Sequence, residues 1–292
     1  MNLSTKLWLS GARPRTLPAA IAPVLVGTAS AYLPDDESAV FGNALLALVV
    51  SLALQVAVNY SNDYSDGRRG TDQHRVGPMR LVGSGAKSAV AVKRAALIAF
   101  GVAALFGLAL AVVTSWWLLV VGVACIAAGW MYTGGPKPYG YSGFGEFFVF
   151  IFFGVVATTG TTFVIIQSIT KTSVIASVAI GSLACALLVI NNLRDIPGDT
   201  AAGKKTLAVR LGDQRTRQMY IVLIVIAAMM IGVISLDHPT ALFGLVGLLG
   251  SVPAMRRVAR GAKGRDLVPV LGMTGSAQLL TAVALSIGLV IS

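Results

Sequence analysis

Two short stretches hold most of the side chains that could coordinate a cation. The first contains Asn59, Asn62, Asp63, Asp66 and Asp72, and the second contains Asn191, Asn192, Asp195 and Asp199. Asn59, Asn62, Asp63 and Asp66 are spaced i, i+3, i+4 and i+7, which stacks them on one helical face. Asn191 and Asp195 share a face too. Asp199 follows two turns on, with Pro197 and Gly198 as a place where the chain could bend. Carboxylates stacked this way repel one another. At a helix C-terminus the macrodipole adds about 0.3–1 kcal/mol against each one, and close to hydrocarbon the cost rises further. A compensating positive charge is required. Mg²⁺ fits, being a hard cation that takes carboxylate, amide and water oxygens and often shares them with a phosphate. Asparagine beside aspartate supplies such oxygens without adding charge.

Cations accompany both stretches. Arg68, Arg69, His74, Arg75 and Arg80 follow the first, Arg194, Lys204, Lys205 and Arg210 flank the second, and Lys137 lies in a Gly-Pro loop between them. Acids interleaved with Arg and Lys suit a metal-bridged diphosphate, in which metal binds some oxygens and side-chain cations bind the rest. The spacing of Asn62 to Asp66 recurs in Asn191 to Asp195. Each pair closes the second helix of an apparent four-helix unit, so an internal duplication is expected, with the two clusters facing across a cavity. A matched pair is more than ordinary polar capping of a span requires.

The elements that carry these residues are apolar. The chain has 292 residues, 55% hydrophobic and 12% charged, against roughly 25% charged in soluble domains. An all-α, polytopic membrane protein is expected: one membrane-embedded domain over 1–292, of about nine transmembrane helices around a central cavity. The apolar runs fall near 15–33, 41–62, 88–112, 116–133, 145–167, 173–193, 218–236, 240–258 and 267–291. Active-site loops are expected near 62–87, 134–143 and 194–217. Every Lys and Arg except Lys171 lies at the N-terminus or in the connections after the second, fourth, sixth and eighth runs, counting helix-end residues. The positive-inside rule then puts the N-terminus and the active-site loops in the cytoplasm and the C-terminus outside the cell membrane. The net charge of +11 is thus a topology signal, and nucleic acid is not an expected partner. Arg256, Arg257, Arg260 and Lys263 read as lipid-headgroup contacts. Cys125 and Cys185 read as small buried residues. A transporter would place its charges near the midplane, whereas these sit on one side.

Asn62-Asp63-x-x-Asp66 with Asp72, paired with Asp195-x-x-x-Asp199, resembles the UbiA-type intramembrane prenyltransferases. Their first motif is commonly Asn-Asp-x-x-Asp-x-x-x-Asp. Here Gly70 stands at its last position and Asp72 lies two residues beyond. The segments 12–29, 62–78, 132–154 and 191–212 resemble the branch that prenylates 1,4-dihydroxy-2-naphthoate on the way to menaquinone, and another acceptor such as 4-hydroxybenzoate is the alternative. The resemblance implies a polyprenyl diphosphate donor, a naphthoate acceptor, decarboxylation and Mg²⁺, all within a lipid bilayer. It implies metal coordination by Asn62, Asp66, Asn191, Asp195 and Asp199. Asp63 and Asp72 would be further ligands or a base. Donor or acceptor contacts would come from Arg13, Asn59, Arg75, Tyr132, Lys137, Tyr139, Arg194, Lys204 and Lys205. Tyr141 could also turn its ring toward an allylic cation, and the loop TGGPKPYGYSG could cover the site.

Overall fold

The computed structural model describes residues 2–31, 37–71 and 79–292. Among these residues the protein is all helix. The order is α1 (Leu3–Ala12), α2 (Pro18–Ala29), α3 (Glu37–Arg69), α4 (Ala89–Val113), α5 (Trp117–Met131) and α6 (Gly145–Val149), the last continuing through a π-helical segment, Phe150–Val156, into α7 (Ala157–Ile166). Then come α8 (Lys171–Ala201), α9 (Leu207–Ile234), α10 (Phe243–Leu249), α11 (Val252–Ala259) and α12 (Leu267–Val290).

Among the described residues six helices are long and apolar enough to cross a membrane, and α10 with the 3₁₀ turn before it and α11 after it adds a seventh, bent by 48°. Over its described residues each of the nine apolar runs is helical, but α2 and α5 have only 12 and 15 residues. They therefore extend about 18 and 22 Å, short of the roughly 30 Å hydrocarbon core. The physical limit on α2 is its entrance. Arg13 takes a left-handed conformation (φ 54°), Pro14 follows, and a 3₁₀ turn at Pro14–Thr16 delays the helix to Pro18.

The long central helices start at polar caps. Ser88 Oγ accepts from the Ala91 amide at the start of α4, and Thr170 Oγ1 accepts from the Ser173 amide at the start of α8. α8 is the axis of the bundle: its residues Ile180, Leu183, Leu187 and Ile190 pack into one core with Val26 of α2, Tyr220 and Ile224 of α9, and Leu271 and Leu285 of α12. A Cβ on Gly154 would stand 2.5 Å from the Gly181 Cα, so the π segment can seat against α8 only because both positions are glycine. The opposite flank, α4 and α5, exposes Ile98, Leu105, Val112, Val120 and Val123, an apolar surface suited to acyl chains. Trp116 and Trp117, exposed at the turn between them, suit the membrane–water boundary.

Two ends are distinguishable. α1 packs beside the end of α3, with Trp8 edge-on to Tyr60 at 5.7 Å and Lys87 Nζ donating to Ser4 Oγ at 3.0 Å. At the far end Lys171 pairs with Asp237 at 2.8 Å, and His238 Nδ1 meets Ser292 Oγ at 3.0 Å. The termini therefore lie at opposite ends.

Two of the three expected loops are shorter than the sequence implied, while 134–143 lies within the connection between α5 and α6. α3 runs on through Asp63 and Asp66 to Arg69, and α8 through Asp195, Pro197 and Asp199 to Ala201. At Pro197–Gly198, where the chain could bend, α8 continues as helix without a break. The helices persist because the acidic side chains find cations and amides as partners, as described next. α9 begins at Leu207, with a break at Gly212 (φ 76°, ψ 173°), so much of 194–217 is helical.

Candidate active site

One cavity of about 1450 Å³ opens between the helices. Its deep wall is apolar, with Val50, Leu54 and Val58 of α3, Leu110 of α4, Val121 of α5 and Phe152 before α7. Its other end carries Asn62, Asp66, Asn191, Asp195, Asp199 and Lys204. Amphipathic division on this scale suits a long apolar chain with an anionic head.

Asp66 is the focus of the polar end. It is buried, and three groups from three separate loops converge on it. The Tyr141 hydroxyl donates to its Oδ1, Lys204 Nζ stands 3.3 Å from the same oxygen, and Arg80 lies 3.7 Å from Oδ2. Lys204 also reaches Asp199 Oδ1 at 3.7 Å. The two acidic clusters therefore face one another across a single ammonium group. A glycine makes this possible. Gly203, at φ 72°, reverses the chain after α8, so that the Lys204 amide bonds back to the Asp199 carbonyl at 2.8 Å. Its side chain then returns over the Tyr141 ring, 4.5 Å from the centroid. Burial, and next the Asp66 carboxylate, raise the Tyr141 phenol above its ordinary range. It stays protonated and donates.

The remaining acids are engaged differently. Asp63 accepts from the backbone amides of Leu81 and Val82 at 2.8 and 3.0 Å. It anchors the chain that returns toward α4 and does not border the cavity, so the shared face read from the i+4 spacing divides in two. Arg194 forks onto both oxygens of Asp195 at 2.7 and 2.8 Å and reaches Asn191 Oδ1 at 2.7 Å. That guanidinium is spent on its own helix. Asn62 Oδ1 accepts from Thr133 Oγ1 at 2.7 Å. Asn59 donates to the Ala12 carbonyl at 2.9 Å and to Thr16 Oγ1 at 3.1 Å, holding the turn that presents Arg13. Arg13 borders the cavity and donates to the Asn59 carbonyl at 3.3 Å.

Tyr132 and Tyr139 border the cavity, edge to face at 5.5 Å. Lys137 and Lys205 are exposed and outside its lining; Lys205 contributes its backbone, whose amide donates to the Tyr141 carbonyl at 2.8 Å. Lys263 reaches the cavity rim, a place that a headgroup contact alone does not explain. Asp72, His74 and Arg75 lie outside the described residues. Among the described residues no three His, Cys, Asp or Glu side chains stand together as a ready-made metal cage. The donor set nevertheless fits a hard cation, since Asp66 and Asp199 direct oxygens to one point, now held by an ammonium, and Asn62 and Asp195 stand one turn from them on the same helices.

Thr133 and Glu146 escaped the sequence reading, being neutral or isolated among apolar residues. Tyr141 was noted only for its ring, and nothing in its spacing to Asp66 announced the hydrogen bond.

The model of the UbiA prenyltransferase family matches residues 20–271, and the chain belongs to that family. It is 51% identical over 280 residues to a 1,4-dihydroxy-2-naphthoate octaprenyltransferase of Mycobacterium tuberculosis, covering 96% of this chain and 95% of the relative. It is 35% identical over 298 residues to the protein of that name in Escherichia coli, covering 99% and 96%. A solved UbiA homologue from Archaeoglobus fulgidus bound to GPP and Mg²⁺ superposes with TM-score 0.67 at 14% identity, covering 98% of this chain and 99% of that one.

Proposed function

We propose that the protein transfers a polyprenyl chain from polyprenyl diphosphate to 1,4-dihydroxy-2-naphthoate, releasing CO₂ and diphosphate and yielding demethylmenaquinol, whose separate two-electron oxidation gives the demethylmenaquinone of menaquinone synthesis. The observation that carries this reading is the meeting of Asp66 and Asp199 across Lys204 at the polar mouth of an apolar cavity. The naphthoate prenyltransferases to which the chain is similar support the choice of acceptor.

The roles follow from position. Asp66 and Asp199, with Asn62, Asn191 and Asp195 after they exchange partners, would hold Mg²⁺. When bound, Mg²⁺ neutralises diphosphate oxygens and so favours departure of that group. Lys204 and Arg80, already beside Asp66, take up negative charge on the departing diphosphate. The isoprenoid lies along Val50, Leu54 and Leu110. Tyr132, Tyr139 and Phe148 turn aromatic surface toward the cavity where an allylic cation would form. The loop at 133–143, tied down by Arg69 donating to the Thr133 and Gly135 carbonyls, keeps water from that cation. Arg13, at the cavity wall, would take the acceptor's carboxylate. By the distribution of Lys and Arg, this polar end and the N-terminus face the cytoplasm and the C-terminus lies outside.

Membranes containing the protein, given 1,4-dihydroxy-2-naphthoate, a polyprenyl diphosphate and Mg²⁺, are expected to form the prenylated naphthoquinol or its quinone, detected by mass spectrometry. EDTA should stop the reaction and added Mg²⁺ restore it. Prenylation of 4-hydroxybenzoate in preference to the naphthoate would overturn the acceptor assignment.

A further inference from the structure

Glu146 is a buried carboxylate that the proposed mechanism does not use. It sits in the first turn of α6, 6% exposed, and its Oε1 accepts from Asn192 Nδ2 at 2.8 Å. Among the described residues its buried Oε2 has no hydrogen-bond partner from another side chain. Asn192 lies on α8, two and three residues before Arg194 and Asp195, and borders the cavity, as do Tyr132, Phe148 and Leu188. A carboxylate accepts hydrogen bonds, so Glu146 draws the amide nitrogen toward itself. The amide oxygen of Asn192 is then what this residue can offer the cavity. The acids at that end, Asp66, Asp195 and Asp199, are matched to cations, and the amide oxygens of Asn62 and Asn191 already accept from Thr133 and Arg194. Asn192 is a neutral acceptor set among aromatic and aliphatic walls, and a neutral donor is its complement.

We propose that Asn192 Oδ1, oriented by Glu146, accepts the hydrogen of the acceptor's 4-hydroxyl and thereby selects a dihydroxy ring. This rests on the acceptor being 1,4-dihydroxy-2-naphthoate. In that molecule the 1-hydroxyl is tied to the adjacent carboxylate by an internal hydrogen bond. The 4-hydroxyl is the donor left for the protein. The carboxylate behind the amide polarises it and strengthens the contact. Asn192 is thus a specificity residue and Glu146 a positioning residue.

The test compares the diol with 1-hydroxy-2-naphthoate, which keeps the ring-activating hydroxyl and lacks only the 4-hydroxyl. In the wild type the diol is expected to be preferred in kcat/KM by about tenfold, the scale of one neutral hydrogen bond. Asn192→Leu and the smaller Asn192→Ser should bring that ratio to within about twofold, through a higher KM for the diol, with the KM for polyprenyl diphosphate unchanged. Glu146→Leu should do the same, whereas Glu146→Gln, whose amide oxygen still accepts from Asn192, should keep most of the preference. Retention of the wild-type ratio in both Asn192 variants overturns the proposal, as does equal loss with both acceptors. Failure of the wild type to prenylate the diol at all would instead defeat the functional reading on which the proposal rests.

Discussion

The ends of α3 and α8 invite comparison, since each carries two acids at helical spacing. In α3 the acids are separated by their partners. Asp63 is taken by backbone amides at 81 and 82, while Asp66 turns to the cavity. In α8 both acids border the cavity, but Asp195 is clasped by Arg194 from the same helix and only Asp199 shares the bridging lysine. One acid of each pair thus secures its own surroundings and the other looks across to the opposite cluster. The means differ: uncharged amides from a distant loop in one case, an adjacent guanidinium in the other. Spacing brings acids to a face, and the groups that reach that face first decide what each acid does.

The comparison can be broken by substitution. Asp66→Ala and Asp199→Ala, which remove the carboxylates that meet, should each lower kcat by at least about a hundredfold, the scale of losing a preorganised charge-stabilising group, with the protein still inserted in membranes. Near-normal turnover in both would falsify the facing-pair assignment. Arg194→Leu leaves Asp195 buried without its fork, and a stability loss of about 3–5 kcal/mol is expected. A detergent unfolding curve should show it, and an unchanged midpoint would mean that Asp195 finds another cation. Asp63→Ala strands two amides, at about 1–3 kcal/mol, and should reduce stability more than the activity per folded molecule. If it abolishes turnover without lowering the unfolding midpoint, Asp63 belongs with Asp66 after all. The smallest effect is expected far from both clusters. Lys171→Ala breaks an exposed ion pair with Asp237, and exposed pairs contribute little, so turnover and unfolding midpoint should both be unchanged.

Much of this was legible in the sequence. Hydropathy marked the helical regions from residue 15 onward, because spans must be continuously apolar, but it missed α1 (Leu3–Ala12), which is too short and too polar to register as a span. Charge asymmetry gathered the functional groups to one end, and Asp66, Asp195, Asp199 and Lys204 were all marked by type and spacing. Helix ends were misjudged for one reason: Asp and Arg look like loop residues until their partners are known, and those partners come from distant segments. The Tyr141 contact to Asp66, the Thr133 contact to Asn62 and the Glu146 contact to Asn192 are products of the tertiary fold, and no local pattern encodes them. The shortness of α2 was foreshadowed by Arg13-Pro14, but a left-handed arginine cannot be read from one letter.

The apolar wall of the cavity has a consequence for how the protein must be assayed. A donor whose tail lies along Val50, Leu54 and Leu110 is itself dissolved in the bilayer, the same two-dimensional phase as the protein. Its governing concentration is a mole fraction among lipids rather than a molarity in buffer. Diluting the membranes with water should leave donor saturation unchanged, while adding lipid at fixed donor should reduce it. Lipid acyl chains are then competitors for the same wall, and an apparent KM measured in one membrane belongs to that membrane.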